Sequence, residues 1–453
     1  LYMDQQNQPG VQTALASETA LISASGRGNE EKRPPVPADS TDFWFAVIYT
    51  VVGYSLAYLF SSDGFGWKFS VFTAVYALVA LSYLFRKKKK IPKESWFWLA
   101  MMLGSGLPYG FYTAMPVFQV LGTAALAAYW TLAAGGCLLE NDRTSQWAAA
   151  DFWNGIWRIP FGNFACYFHV LAGGGEKTSQ KAGVRKLGAI LCGFLLAIPV
   201  LLVVLPLLSS ADDNFSRLLT GFMDNFSENV LSFVLRAVFS LPVTAYLFGL
   251  AYGCVHCRKT DRIRREAVRR TGDRVRMVPD AAVYTALLTI SVCYVLFMVL
   301  QGQYLFSAFA GIRPEMYTYS EYARKGFFEL CGVAAVNLAV LLAANLFTKT
   351  DREYNRTLRW LNLLISVLTL LLIGTAASKM VLYISAYGLT IRRIQTMVFM
   401  GWLAVVFLLW CAGQREKLPM IRTAVMSGAG LYVLLCVLPL EEIVTVVNAM
   451  LSF

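Results

Sequence analysis

The chain is dominated by apolar stretches, each about as long as a helix that crosses a lipid bilayer. Such a helix needs roughly 20 mostly apolar residues, because each residue advances it by about 1.5 Å across a hydrocarbon core of about 30 Å. Hydrophobic residues make up 57% of the 453 residues and charged residues only 15%, which is too apolar for a soluble globular protein. The sequence therefore predicts an all-α polytopic helical membrane bundle. About eleven transmembrane helices are expected, at residues 43–60, 67–85, 96–114, 117–139, 187–208, 230–252, 281–300, 327–347, 358–377, 396–412 and 422–440.

The basic residues predict how this bundle is oriented. Cytoplasmic loops of membrane proteins carry an excess of Lys and Arg. With the N-terminus in the cytoplasm, the run Arg86–Lys90 and the nine basic residues of 258–276 fall on the same, cytoplasmic side. We therefore predict a cytoplasmic N-terminus. This asymmetry accounts for the net charge of +12 without a nucleic-acid partner.

Four regions follow from these patterns. Residues 1–40 are polar, rich in Gly and Pro, and lack periodicity, which predicts a disordered cytoplasmic tail without the apolar segment of a signal peptide. Residues 41–140 hold the first four spans. Residues 141–186 mix Trp and Phe with polar residues, which is typical of an amphipathic segment in the headgroup region on the cytoplasmic side. Residues 187–453 hold the remaining seven spans.

A dense group of charges enters the eighth span. Residues 321, 325 and 329 are four apart and share a helix face, so Glu321 and Lys325 have a favourable acid-first spacing, and Arg324 lies beside them. Glu329 is the deepest of these charges. Ionisable groups at such depth face a bundle interior and find a partner. This stretch is therefore where we expect a site.

Basic residues also occur on the side that should be poor in them, and acidic partners would explain their presence. We hypothesise an outer-leaflet ionic cluster that joins the sixth, eighth and tenth spans. Its members are Arg236, Glu321, Arg324, Lys325, Glu329, Lys379, Arg392 and Arg393. Two interpretations are open: buried charge pairs that fix the register of the helices, or a binding site for a substrate or a proton.

Familiar catalytic and metal-binding patterns are lacking in the sequence. Cys254, His256 and Cys257 form a CVHC motif, but a zinc site normally needs four ligands and no second Cys or His pair follows. We expect no metal and no cofactor, and the lack of a nucleotide-binding or hydrolase motif favours a non-enzymatic role. The basic loop 258–276 is suited to anionic lipids. A protein partner of unknown kind is a further expectation.

Two segments carry a resemblance to a known family. YSEYARKGFFEL at 319–330 and YISAYGLTIRR at 383–393 resemble, in this order, the most recognisable segments of a family of bacterial polytopic membrane proteins known only as a domain of unknown function. The similarity extends from about the fifth span to the eleventh and includes ADDNFSRLL at 211–219. The resemblance implies a helical bundle in the bacterial cytoplasmic membrane. It implies no reaction, cofactor or substrate.

Three functions compete at this point. The leading hypothesis is a transporter or permease-like protein whose polar pathway passes Glu329 and the outer ionic cluster. The alternative is a non-catalytic membrane scaffold or envelope sensor that acts through partners. A third, an enzyme that modifies lipids or glycans with Glu321 or Asp212, lacks an identifiable catalytic pair.

Overall fold

The structure, a computed structural model, describes most of the bundle but not its N-terminal tail. It covers residues 39–61, 64–113, 115–140, 142–173, 204–205, 207–224, 228–260, 276–300, 302, 319–349, 355–414 and 418–450. The predicted tail up to residue 38, most of the fifth predicted span, and most of the loop 258–276 lie outside these ranges. Within them, every named element is a helix, and β pairing is limited to two isolated bridges.

Most of the helices before residue 260 form the first of two hydrophobic cores, to which Ala148–Trp153 and Asp213–Asp224 contribute no described residue. The helices of this region are α1 (Ser40–Phe60), α2 (Gly66–Arg86), α3 (Lys93–Gly106), α4 (Pro116–Ala134), α5 (Ala148–Trp153), α6 (Ile159–Gly162), α7 (Phe164–Gly173), α8 (Asp213–Asp224) and α9 (Glu228–Val255). Large aromatic side chains fill this core, among them Tyr49, Trp98, Trp130 and Phe248. Helices α1 and α9 pack closely along their length.

Six further helices follow residue 275 in the described ranges, and the first four of them form the second core. The six are α10 (Asp280–Leu300), α11 (Tyr319–Phe347), α12 (Arg356–Tyr387), α13 (Ile391–Ala412), α14 (Met420–Val437) and α15 (Leu440–Met450). Leu287, Leu341, Leu372 and Phe407 lie at the centre of the second core.

Helix α14 joins the two cores. Trp402 of α13 donates its indole N–H to the carbonyl of Ala424, at 3.0 Å. On the other side, the hydroxyl of Tyr432 reaches the carbonyls of Phe118 and Gln119 in α4, both at 3.2 Å.

The predicted all-α polytopic bundle is confirmed. In the part of the chain that the structure describes, nine helices are long and apolar enough to cross a membrane, so the chain is a multi-pass integral membrane protein. The third predicted span is shorter than expected: α3 has 14 residues and continues as a 3-10 turn, Leu107–Gly110. Together they are roughly 29 Å long, close to the thickness of the hydrocarbon core.

Two other spans have different bounds from those expected. The ninth continues to Tyr387, because no breaker interrupts it before Gly388, which has a φ of +76°. The eleventh ends at Val437, because Pro439 cannot continue the hydrogen-bonding pattern of a helix, and α15 begins afterwards.

Helices α1, α2 and α9 place their basic flanks together at one end of the bundle, near Lys87 and Arg258. We call this end, where α1 begins and α2 and α9 end, the basic end. The amphipathic segment that the sequence predicts in the headgroup region, within 141–186, also lies at this end. It exposes a row of neighbouring rings, Trp153, Trp157 and Phe161, with centroids 5.9 and 5.6 Å apart, the second pair stacked. Its other face packs against α9, where Tyr246 donates to the carbonyl of Ile156 at 2.8 Å.

Candidate functional site

Two members of the predicted ionic cluster lie close together at the end of the bundle opposite the basic end. Lys379 is fully buried, about two turns before the end of α12. Glu329 lies on α11, which packs along α12, and its carboxylate is within electrostatic range of Lys379. Glu329 itself is exposed. This corner combines a buried cation with an accessible carboxylate.

Arg236 and Arg393 have other partners. The guanidinium of Arg236 in α9 lies 5.2 Å from the centre of the Tyr58 ring, and the ammonium of Lys68 lies 5.4 Å from the same ring. Arg393 lies 4.0 Å from the centre of the Tyr383 ring. Both contacts are of the cation–π type, so these two arginines connect helices of the bundle.

The turn around Gly388 explains several residues of the second family-like segment, YISAYGLTIRR at 383–393. A φ of +76° at this position is strained for a residue with a side chain. The Arg393 guanidinium donates to the carbonyls of Tyr387 and Gly388, which the end of α12 leaves without helical partners. The amide of Asn448 in α15 then pairs with the backbone of Leu389, accepting from its N–H at 2.6 Å and donating to its carbonyl at 2.9 Å. These hydrogen bonds hold the turn between α12 and α13 in place.

The remaining members of the predicted cluster are less informative. Arg392 is exposed at the start of α13. Glu321, Arg324 and Lys325 lie in the first turns of α11, and their side chains are outside what the structure describes. Of the eight predicted residues, the described structure thus brings Glu329 and Lys379 together and gives Arg236 and Arg393 separate aromatic partners.

A set of five buried polar side chains along α12 was not identified from the sequence. All five are no more than 1% exposed: Asn362, Ser366 and Thr369 lie on one face of the helix, and Thr375 and Lys379 lie on nearly the opposite face. We call this set the α12 polar file. The only sequence signal was small: single polar residues recurring at intervals of three, four or six inside an apolar stretch.

Neighbouring helices add polar groups to the α12 polar file. Asn337 of α11 is fully buried, accepts a hydrogen bond from the Tyr294 hydroxyl at 2.5 Å, and donates to Thr369 at 2.8 Å. Asn362 donates to the side chain of Asn345 at 3.1 Å. Three helices are therefore joined by side-chain hydrogen bonds within apolar segments.

A second polar cluster lies at the basic end, around Asp42, and was also missed. Asp42 is fully buried, and its Oδ1 meets Tyr83 at 2.7 Å, Lys87 at 2.7 Å and His256 at 3.1 Å. Lys87 also pairs with Asp39 at 2.8 Å. These contacts join α1, α2 and α9. His256 could not be assigned from its CVHC motif because its partner is 214 residues away in the chain.

The cysteines of the CVHC motif lie beside this cluster. The Sγ atoms of Cys257 and Cys137 are 4.0 Å apart, and Lys89 lies 3.2 Å from Cys257. The contact with Cys137, together with burial, raises the pKa of the Cys257 thiol, while Lys89 acts in the opposite direction. Because a thiolate is the form that binds metals, this environment disfavours a metal ligand. Over the described ranges, no group of three or more His, Cys, Asp or Glu side chains could hold a metal ion.

A third polar cluster connects the two cores. Glu94 of α3 pairs with Arg422 of α14 at 2.8 Å and accepts from the backbone N–H of Thr144, also at 2.8 Å. The Thr144 hydroxyl in turn accepts from Trp98 and Tyr129, each at 3.1 Å. Glu94 therefore contacts α14 directly through Arg422 and is connected to α4 through Thr144 and Tyr129.

Comparison with known proteins gives a family but no characterised relative. No curated protein matches the chain, and no solved structure matches it. A family match covers residues 99–451, which begins in α3 and includes both segments of the resemblance. The matched region starts earlier than the fifth span, where the resemblance was first evident. The chain belongs to the family described as Domain of unknown function (DUF4153).

Proposed function

We propose that the protein is a permease-like transporter of the bacterial cytoplasmic membrane, with Glu329 and Lys379 as the residues that couple ligand or proton binding to movement. The observation that carries this proposal is the α12 polar file, which ends at a fully buried lysine. Buried ionisable residues in membrane helices are rare and commonly mark ion and substrate pathways.

The proximity of Lys379 to the negative charge of Glu329 supports a coupling role. One partner is buried and the other is exposed, so a proton or a ligand can reach Glu329 without entering the core. When Glu329 is neutralised, Lys379 loses its negative neighbour and favours an anionic ligand in its place. A chemical event at the surface thereby changes the affinity of a buried cation.

The other predicted members have supporting roles in this proposal. Glu321, Arg324, Lys325 and Arg392 would surround the entrance at this end of the bundle. Arg236 and Arg393 would hold the surrounding helices through their aromatic partners.

The test is ligand-evoked current in proteoliposomes adsorbed to a solid-supported membrane, with a panel of small organic and inorganic anions applied at several pH values. We expect the wild-type protein to give a current that is lost in Glu329→Gln and in Lys379→Met. Glu441→Gln, at an exposed position of α15, is the matched control and should keep the current. Equal currents from all four proteins, or no current from a folded wild-type protein with any anion of the panel, would count against the proposal.

We further propose that anionic lipids bind at the basic end. The side chain of Lys259 packs beside Gly162, next to the exposed ring row that ends at Phe161, so a cation and apolar rings are presented together. Each basic residue near an anionic surface contributes about 1 kcal/mol. Vesicles with phosphatidylglycerol should stabilise the wild-type protein more than Lys259→Gln, and equal stabilisation would contradict this site.

A further inference from the structure

Asp151, in the short helix α5 at the basic end, is a buried carboxyl group that the proposed transport pathway does not use. It is fully buried where α5 packs against α4 and α14. Its Oδ1 accepts a hydrogen bond from the backbone N–H of Leu139 at 2.9 Å. Its Oδ2 is also buried and, among the described residues, meets no hydrogen-bond donor.

A second buried oxygen nearby also lacks a hydrogen-bond donor among the described residues. Asn154, three residues later and 4% exposed, has an Oδ1 that is buried and likewise lacks a donor within the described part of the chain. Residues three apart on a helix are neighbours on one face. Asn154 also begins a π-helical turn, Asn154–Arg158, a local distortion that is frequent at functional sites.

A single proton on Oδ2 of Asp151 would give both this oxygen and Oδ1 of Asn154 a hydrogen bond. A carboxylate oxygen and an amide oxygen are both acceptors, so neither can donate a hydrogen bond to the other, and a buried acceptor without a donor is costly. A protonated carboxyl group has an O–H that can donate to the amide oxygen. We propose that Asp151 is a proton-binding site, in which the protonated Oδ2 donates to Oδ1 of Asn154 and the proton exchanges with the solution at the basic end.

The charged and titratable groups around Asp151 fit this assignment. Glu140, in the preceding loop, contributes a negative charge. Tyr129 of α4 donates its hydroxyl to Thr144, and Arg422 of α14 is paired with Glu94. Arg158 is the last residue of the π-helical turn.

The direction of the pKa agrees with the geometry. Burial raises the pKa of Asp151 to about 7, Glu140 acts in the same direction, and the Leu139 hydrogen bond opposes them. The proton would therefore be bound and released near neutral pH. This site is at the opposite end of the bundle from Lys379. The outcome of the transport test therefore does not bear on it.

The test compares the wild-type protein with Asp151→Asn. An Asn side chain is neutral and has an N–H group that can donate to Asn154, so it imitates the protonated state. Asp142→Asn is the matched control, because Asp142 is exposed in the same loop region and its positive φ of +55° suits Asn.

The first readout is the stability of the purified protein between pH 5 and pH 8. A carboxyl group whose pKa is raised by folding stabilises the protein fully below its unfolded pKa, and this contribution is lost as the pH rises to the folded pKa. Relative to Asp151→Asn, the wild-type folding equilibrium should fall by up to tenfold per pH unit, about fiftyfold from pH 5 to pH 7. Asp142→Asn should follow the wild-type curve.

The second readout is infrared difference spectroscopy between pH 5 and pH 8, which detects the carbonyl band of a protonated carboxyl group. We expect a band that the wild-type protein shows and Asp151→Asn lacks. Parallel stability curves or an unchanged band in Asp151→Asn would overturn the proposal. Stabilisation of the wild-type protein at pH 8 by sodium but not by choline, absent in Asp151→Asn, would overturn it in favour of a metal cation.

Discussion

Replacing Asp42 with Ala should destabilise the protein far more than replacing its neighbour Asp39. Oδ1 of Asp42 serves three donors on α2 and α9, and the carboxylate is fully buried. Removing one partner of a buried ion pair costs about 3–5 kcal/mol, because the other charge is left uncompensated. Lys87 keeps Asp39 as a partner, which places the electrostatic loss near the lower bound. The buried Tyr83 hydroxyl, left without its acceptor, adds about 1 kcal/mol or more.

The Asp39→Ala change provides the comparison. Asp39 is the N-cap of α1, its side chain is 56% exposed, and its carboxylate accepts from the backbone N–H of Asp42 at 3.0 Å. Losing a cap of this kind costs about 1 kcal/mol, and an exposed ion pair contributes less. We therefore expect a difference of about 2–4 kcal/mol between the two variants.

The assay is the temperature at which the detergent-solubilised protein loses its monodisperse peak in size-exclusion chromatography. At about 2 °C per kcal/mol for a chain of this size, Asp42→Ala should lower this temperature by about 6–10 °C and Asp39→Ala by about 2 °C. Equal shifts would refute the reasoning, because they would mean that Asp42 is not the point at which the three helices are joined.

Three further predictions concern other contacts. Asn337→Leu should cost about 1–2 kcal/mol, since it removes two side-chain hydrogen bonds between helices within apolar segments; an unchanged unfolding temperature would contradict this. Gly53→Ala should cost about 1–3 kcal/mol, because the added Cβ would lie 1.9 Å from Oγ1 of Thr244, and Thr244→Ala should reduce that cost; an equal cost in both backgrounds would exclude this clash. Cys257 should react slowly with a maleimide at pH 8, and Cys137→Ala should accelerate the reaction by removing the contact that raises the pKa of the Cys257 thiol; mass spectrometry over time would reveal an unchanged rate if this were wrong.

The fold class could be read from the sequence because it depends on local properties. The length and apolar character of each stretch determine whether it can cross a bilayer, and neither needs knowledge of distant residues. The bounds were less accurate. A 3-10 turn at Leu107–Gly110 and the break at Pro439 depend on local backbone geometry that a count of apolar residues does not capture.

The polar clusters depend on contacts between distant residues and could not be predicted in the same way. His256 looked like part of a metal motif, but its partner Asp42 lies on the first helix. Lys379 was predicted as one of a cluster of eight charges, because a basic residue was unexpected on that side of the membrane. What the sequence could not indicate is that the polar residues preceding Lys379 are buried all along α12. Spacing along a helix identifies a face, but not what packs against it.

The pair between Glu94 and Arg422 has a consequence for how the protein is made. The two residues are 328 positions apart in the chain. At about 5–20 residues per second, a ribosome needs roughly 15–65 s to synthesise the intervening segment. Throughout that interval, α3 carries a carboxylate whose final cation does not yet exist. Until α14 is made, Glu94 has the backbone N–H of Thr144 but not its cation, and a ribosome that stops before residue 422 leaves this carboxylate without its charge partner.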